Sequence, residues 1–527
     1  MLKKTSRDYS QHKSSDSQSD DNSTAPALSL RGSDYLAFDI QKDIKKSILS
    51  DFSDDESDHQ HHMTDKVDFV WLLKSCIEEA LSYFLEWAPL TIIYFFMTRN
   101  YSQHIANGYG LGLVWLNCMG QGLYYGLGSG LETMASHAHG AKNYEQVGIL
   151  FQKTLFVSSI MFIPICIMML YAEQILLLWN DNADLCQIAG QLCMFAIPGI
   201  AFVAVYYAYK ATLNAQNEYR LQVYSSGINT MLTVIYCFIF ITGLDCGIMG
   251  AAVVFSLSQF SNLVLCYLFA SRKKHLKKCF IPFTKLCFQD LKPFLKTAIP
   301  IGSLVSLEWI LQEVNSIIAS NLPEEQYSAN IAIANLASTS VQFPLGYATA
   351  ACTFIGNEMG RGNVKNAKKY ALYSTYILIS HLLITGLPIA IFRESIASTF
   401  TVNPEVKDQF LRIIFFALGV YFLDAIQCLI TAFMRAIAKE KFSSVSFLIC
   451  YALVGLTSSY YLAYKTSYEI TGVWTGLAIG MSLYLILQIC MILFTNLENM
   501  AKKIQDRLKQ NSEPNDTLIN NISIQVT

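Results

Sequence analysis

The sequence predicts an all-α membrane protein with twelve transmembrane helices in two parallel six-helix bundles and both termini in the cytosol. Three observations lead there. Of 527 residues, 53% are hydrophobic and only 15% are charged, against roughly 25% charged in a soluble protein. The charges gather at the ends and in short loops, leaving apolar runs of about 20 residues, long enough for a helix to cross a bilayer. A motif also recurs: Leu85-Glu86-Trp87 in the first half of the chain returns as Leu307-Glu308-Trp309 in the second. A soluble set of core helices would need shorter runs with polar faces.

Residues 1–65 form no span. They are Ser/Asp-rich, as in Ser15-Asp16-Ser17-Gln18-Ser19-Asp20-Asp21, and too poor in apolar side chains to fold. Asp54-Asp55-Glu56-Ser57-Asp58 reads as a solubilising stretch or as the surroundings of a phosphorylated serine. His59, His61 and His62 are three metal-capable side chains without fixed geometry. The spans follow, centred near Glu86, Gln121, Ile160, Pro198, Thr233 and Leu263, then near Glu308, Ser340, His381, Phe422, Leu453 and Leu483. Residues 70–271 form the first bundle, 272–292 a basic linker, 293–495 the second bundle and 496–527 a cytosolic tail. The repeat recurs along the chain: Gly126, Thr133, Gly140 and Asn143 return as Gly346, Thr353, Gly360 and Asn363, all at one constant spacing. Six spans per half make the repeats parallel, about an axis along the membrane normal.

Charge sets the orientation. One set of loops carries Lys142, Lys153, Lys210, Arg220, the run Arg272-Lys273-Lys274 with Lys277, Lys278 and Lys285, then Arg361, Lys365, Arg435 and Lys439. The opposite set is poor in cations and holds Glu173, Asp184, Glu324 and Glu325. Positive loops stay inside, so the first set and both tails are cytosolic. The net charge of −2 points to no partner, and nothing suggests nucleic acid.

Several function classes are excluded. The 14 cysteines form no CxxC pair and no zinc-spaced cluster with histidine. No GxxxxGK[ST] loop is present, so an ion gradient rather than ATP would drive transport. No cofactor is expected. His381 stands alone in its span as a packed or interfacial residue, which speaks against a membrane enzyme.

The candidate chemistry is carboxylate chemistry. An acid inside a bilayer is costly and marks a functional site unless a neighbouring helix satisfies it. Glu86, Glu132, Glu308, Glu313 and Asp424 are such acids, whereas Glu78 and Glu79 read as interfacial caps at the start of span 1. Glu308 and Asp424 are mid-membrane and should border one cavity. Burial favours a carboxylate's neutral form and a nearby cation favours its charged form. Such an acid can hold a proton or a cationic ligand in turn, which is the chemistry of an antiporter. Trp309 could supply a cation-attracting face, and Asn229 and Thr233 are polar candidates in span 5.

These residues resemble a known family. Gly126-Leu127-Gly128-Ser129-Gly130-Leu131-Glu132-Thr133 with Gly140-Ala141, Leu307-Glu308-Trp309, and Gly356-Asn357-Glu358-Met359-Gly360-Arg361-Gly362-Asn363 are similar to three signatures of the multidrug and toxic compound extrusion (MATE) family. The resemblance covers about residues 70–495. It implies two bundles around a central cavity and export of organic cations, drugs or metabolites in exchange for H⁺ or Na⁺. It also implies that Glu308 and Asp424 form the proton and cation site, with Glu313 and Glu132 matching further acids. Asn335 stands where some animal members have an acid, and His137 replaces a usual glutamine. Glu86 is offered from the internal repeat alone. The expected substrate is a cationic or amphiphilic small molecule, carried by a monomer in the plasma membrane or an acidic organelle. The alternative is a lipid or lipid-linked-sugar flippase. A receptor or scaffold would leave the repeated carboxylates without a role.

Overall fold

The computed structural model describes residues 68–178, 182–400 and 403–512, without the side chains of 103, 313, 400 and 510–512. The Ser/Asp-rich N-terminal segment with its histidines, and the Glu313 side chain, lie outside the described residues.

Every regular element among the described residues is a helix. Apart from two short helices at Ala172–Leu176 and Arg393–Phe400, they are in order α1 (Phe69–Asn100); α2 (103–140, in three pieces with a π-helical turn at Leu116–Gln121); α3 (Tyr144–Leu170); α4 (183–215); α5 (Arg220–Gly243); and α6 (Gly247–Ser271). A linker with two short 3₁₀ turns leads to α7 (Leu291–Ser320), α8 (324–361), α9 (Val364–Ile391), α10 (Pro404–Ala436), α11 (Glu440–Lys465), α12 (Ile470–Phe494) and α13 (Leu497–Ser512).

Side-chain caps fix several starts and follow the repeat. Asn143 accepts from the Gln146 amide at 3.0 Å to begin α3. Asn363, its counterpart in the second half, accepts from the Asn366 amide at 3.2 Å to begin α9. Each bond satisfies a backbone donor that has no partner inside the helix. The turns after α4 and α10 also match, with Asn217 at φ 60° in the first and Ala438 at φ 57° in the second.

Nine of these helices are long and apolar enough to cross a membrane, or ten if the halves of α4, bent by 54°, count as one span. That is fewer than the twelve expected. The shortfall is α2 and α8, whose pieces are rich in Gly, Ser, Thr, Asn and Gln. In the pieces Gly122–Gly140 and Gln342–Arg361 most of those small and polar side chains are buried against other helices, whereas Glu324–Ser340 keeps Asn335 and Thr339 exposed.

The two halves meet through α1 against α8 and α2 against α7, and the contacts are reciprocal. A Cβ on Gly126 would lie 2.6 Å from the Gly302 carbonyl oxygen, and one on Gly346 would strike the Ala80 backbone. Gly346 is the repeat of Gly126, and Gly302 is the repeat of Ala80 in the register that relates Glu308 to Glu86. Likewise Thr133 faces Cys352 at 3.9 Å while Thr353 bonds Glu132 at 3.2 Å. Reciprocity of this kind is what a two-fold relation between repeats produces.

The hydrophobic cores follow the same plan. One cluster, including Leu72, Leu131, Ala298, Tyr347 and Ile504, draws residues from both halves at the end where α1 begins and α2 ends. Towards the opposite end there are two separate clusters. One, around Ile93 and Cys193, is private to the first half; the other, around Phe410 and Tyr484, to the second. The halves are thus sealed at one end, called basal below, and have independent cores at the other.

Three placements differ from the sequence reading. Lys153 and Lys210 are not loop residues but are buried within α3 and α4, and Arg435 is buried in the last turn of α10. α1 begins at Phe69, capped by Asp68, so Glu79 is about three turns inside and wholly buried rather than interfacial. Part of the supposed tail is α13, whose Met500, Ile504 and Leu508 pack into the shared basal core.

Candidate cation and substrate site

α7 and α10 bring Glu308, Asp424 and Cys428 together, with one ligand atom from each lying within 4.8 Å of the others. Asp424 and Cys428 are four residues apart on α10 and so share a face. The Gln427 amide donates to Glu308 Oε1 at 3.0 Å. Asp424 Oδ1, Gln427 Oε1 and the Tyr451 hydroxyl are buried without a hydrogen-bond partner. Among the described residues neither carboxylate forms an ion pair. Buried oxygens left unpaired are costly unless something else occupies the pocket.

Glu86 is in a different condition. Lys210 Nζ donates to both its carboxylate oxygens, at 2.8 and 2.9 Å. The Tyr206 hydroxyl adds a bond at 2.7 Å and Ser82 another at 2.9 Å. Lys210 is 3% exposed, also lies 3.7 Å from Glu79, and stands 3.9 Å from the centre of the Tyr83 ring. Glu79 accepts from Asn214 at 3.0 Å. Removing one partner of such a buried pair would strand the other, at a cost of about 3–5 kcal/mol.

Between these clusters lies a band of aromatic rings. Trp309 stacks on Tyr125 at 5.8 Å between centroids, and Tyr125 contacts Tyr207 and Tyr83. Tyr83 bridges the halves, with its hydroxyl 3.0 Å from both the Tyr125 hydroxyl and Thr349 Oγ1.

The other sequence candidates have varied placements. Glu132 is buried in the basal seal and accepts from Thr353. Asn229 joins neither carboxylate cluster. It ties α5 to α6 by donating to Ser258 at 3.0 Å, where Thr233 also donates. Asn335 is exposed on α8. His381 is packed as expected, between the Tyr347 and Tyr421 hydroxyls. Lys153, Lys210, Arg435 and Glu79 are the charged residues that sequence reasoning placed wrongly. The spacing of Tyr206, Lys210 and Asn214, four residues apart each time, was the signal that one helix face runs through Lys210.

Comparison with known proteins agrees with this architecture. A family model described as MatE matches the chain twice, over residues 80–239 and 300–461. Protein DETOXIFICATION 16 of Arabidopsis thaliana is 28% identical over 404 residues, covering 76% of this chain and 83% of that protein. Multidrug and toxin extrusion protein 1 of Homo sapiens is 23% identical over 369 residues, 70% of this chain and 65% of that one. Among solved structures, the eukaryotic MATE transporter AtDTX14 superposes with a TM-score of 0.77 at 21% identity, over 84% of this chain and 98% of that one. A multidrug resistance MATE family transporter in its outward-facing conformation gives 0.70 at 17% identity, over 85% and 100%. Both halves match the family model and the fold is shared along most of its length, so the chain belongs to the MATE family of multi-pass integral membrane transporters and is not an enzyme.

Proposed function

We propose that the chain is an antiporter that exports cationic or amphiphilic organic compounds in exchange for H⁺ or Na⁺. The observation that carries this reading is the pair of Glu308 and Asp424, inside the helical bundle and, among the described residues, without an ion-pair partner. With their oxygens within 4.8 Å, two ionised carboxylates repel by roughly 3–4 kcal/mol at an effective dielectric constant of about 20. A proton or a monovalent cation relieves that repulsion, and a cationic substrate can compete for the same charge. The rings of Tyr83, Tyr125, Tyr207 and Trp309 would present aromatic faces to such a cation.

α2 and α8 serve as spans in this reading, completing twelve. Positive loops at the basal end orient it to the cytosol. The seal of Gly126 on Gly302 and Gly346 on Ala80 is then the closed inner gate, and the separate outer cores allow the halves to part towards the outside. Rocking one half against the other about the seal exchanges access. The flippase alternative is not favoured, because the matched relatives are extrusion transporters and the unpaired charges are acidic.

Reconstitution tests the reading. Proteoliposomes with an imposed pH or Na⁺ gradient should accumulate a fluorescent organic cation against its own gradient. Uptake indifferent to both gradients would overturn it.

A further inference from the structure

The internal repeat places the two carboxylate clusters in register. Glu86 corresponds to Glu308 through the shared Leu-Glu-Trp motif. Around the turns after α4 and α10 the paired positive-φ residues Asn217 and Ala438 set the alignment, one position shorter than at the motif. In that alignment Tyr206 corresponds to Gln427, Lys210 to Thr431 and Val203 to Asp424. The hydrogen bonds obey the same register: Tyr206 donates to Glu86 Oε1 at 2.7 Å, and Gln427 donates to Glu308 Oε1 at 3.0 Å.

The donor geometry is therefore shared by the two halves while the contents differ, including Glu79 at 3.7 Å from Lys210 in the first half where the motif register gives Ile301 in the second. The first half holds a lysine, with Nζ seated on both oxygens of Glu86, where the second has Thr431. The second half holds Asp424, with an unpartnered buried oxygen, where the first has Val203. Thr431 is otherwise engaged, lying 3.1 Å from the Tyr484 hydroxyl.

We propose that both halves carry one ancestral cation pocket, filled in the first half by the ammonium of Lys210 and left open in the second for the exchanged monovalent cation. Lys210 is a tethered substitute for the transported ion. The protein then binds one exogenous cation per cycle, at Glu308 and Asp424 only. Glu86 repeats Glu308 in sequence without repeating its exchange. A buried ammonium held by two carboxylates and an aromatic ring has little reason to leave between cycles.

This inference rests on the antiport reading, and the test separates the two. Full-length protein in proteoliposomes is held under opposed gradients of substrate cation and of H⁺ or Na⁺, and the balance point gives cations exchanged per substrate. Wild type should give one. Lys210→Thr, which installs the residue of the second half, frees Glu86 and should raise the count to two, a twofold change in slope. Lys210→Thr strands two buried carboxylates, Glu86 and Glu79, so Glu79→Gln/Glu86→Gln/Lys210→Met, which removes the ammonium and both its partners together, is the companion variant. It should fold and keep the count at one. A count of one in folded Lys210→Thr, or a count lowered by the triple variant, overturns the tethered-ion proposal while antiport stands. A wild-type protein with no gradient-coupled exchange instead overturns the reading beneath it.

Discussion

Substituting Gly126 by alanine tests the closed gate. A Cβ there would lie 2.6 Å from the Gly302 carbonyl oxygen and 2.7 Å from its Cα, where 3.4 Å begins ordinary contact. Both obstacles are backbone, so no side chain can turn away. α2 and α7 must separate by about 0.8 Å to restore ordinary contact, or the contact must break. Overpacking of this kind costs about 1–3 kcal/mol, charged only to the state in which the basal end is sealed. The inner-open population should rise about 5- to 150-fold. Cys352 reports it, being fully buried in the seal opposite Thr133. A membrane-impermeant maleimide applied to the cytosolic face, read by site-resolved mass spectrometry, should modify Cys352 faster in Gly126→Ala by that factor. Gly110→Ala is the control, since its nearest obstacle is a Tyr94 ring carbon at 4.0 Å. Equal labelling of Cys352 in wild type and a folded Gly126→Ala would refute the assignment of this contact as the gate.

Four further outcomes are expected. Cys246 is exposed between α5 and α6 and should label only from outside. Cys279, in the linker, is 1% exposed and burial pushes its thiol up to about 12, so it should resist maleimide from either side at pH 7 to 9, while Lys278→Cys labels from inside. Asn229→Ala should lower thermal stability by about 1–3 kcal/mol, by removing its buried hydrogen bonds with Ser258 and leaving that hydroxyl without its acceptor, and leave the cation dependence of transport unaltered. Asp424→Asn removes one of the two carboxylates proposed to share a cation, so it should both slow exchange and shift its pH profile, and an unshifted profile would separate Asp424 from the ion site.

Much of this was legible in the sequence because membrane solvent leaves few options. Apolar runs gave away most of the helices, and the cost of an intramembrane acid singled out Glu308 and Asp424, which α7 and α10 do bring together. The repeat was visible because glycines at close helix crossings, such as Gly126 and Gly346, cannot be replaced without moving backbone. What was missed has one physical source. Counting charges as loop markers assumes that charge avoids the helix interior, and Lys210 and Arg435 violate it, as Glu79 does. Lys210 lies inside α4 because Glu86, Glu79 and the Tyr83 ring, all on α1, together solvate it, and no linear pattern records that partnership. Asn229 illustrates the opposite error: a buried polar side chain in a span can be wholly spent on joining two helices. α13 was readable in principle, since Met500, Ile504 and Leu508 keep a four-residue spacing.

Whether Glu308 carries the exchanged cation is tested most directly by Glu308→Gln. Glutamine keeps the shape and can still bond Gln427 but removes the charge. In proteoliposomes with matched amounts of folded protein, gradient-driven uptake of the organic cation should fall to the level of protein-free vesicles. Uptake at the wild-type rate with an unchanged dependence on the imposed gradient would contradict that role for Glu308.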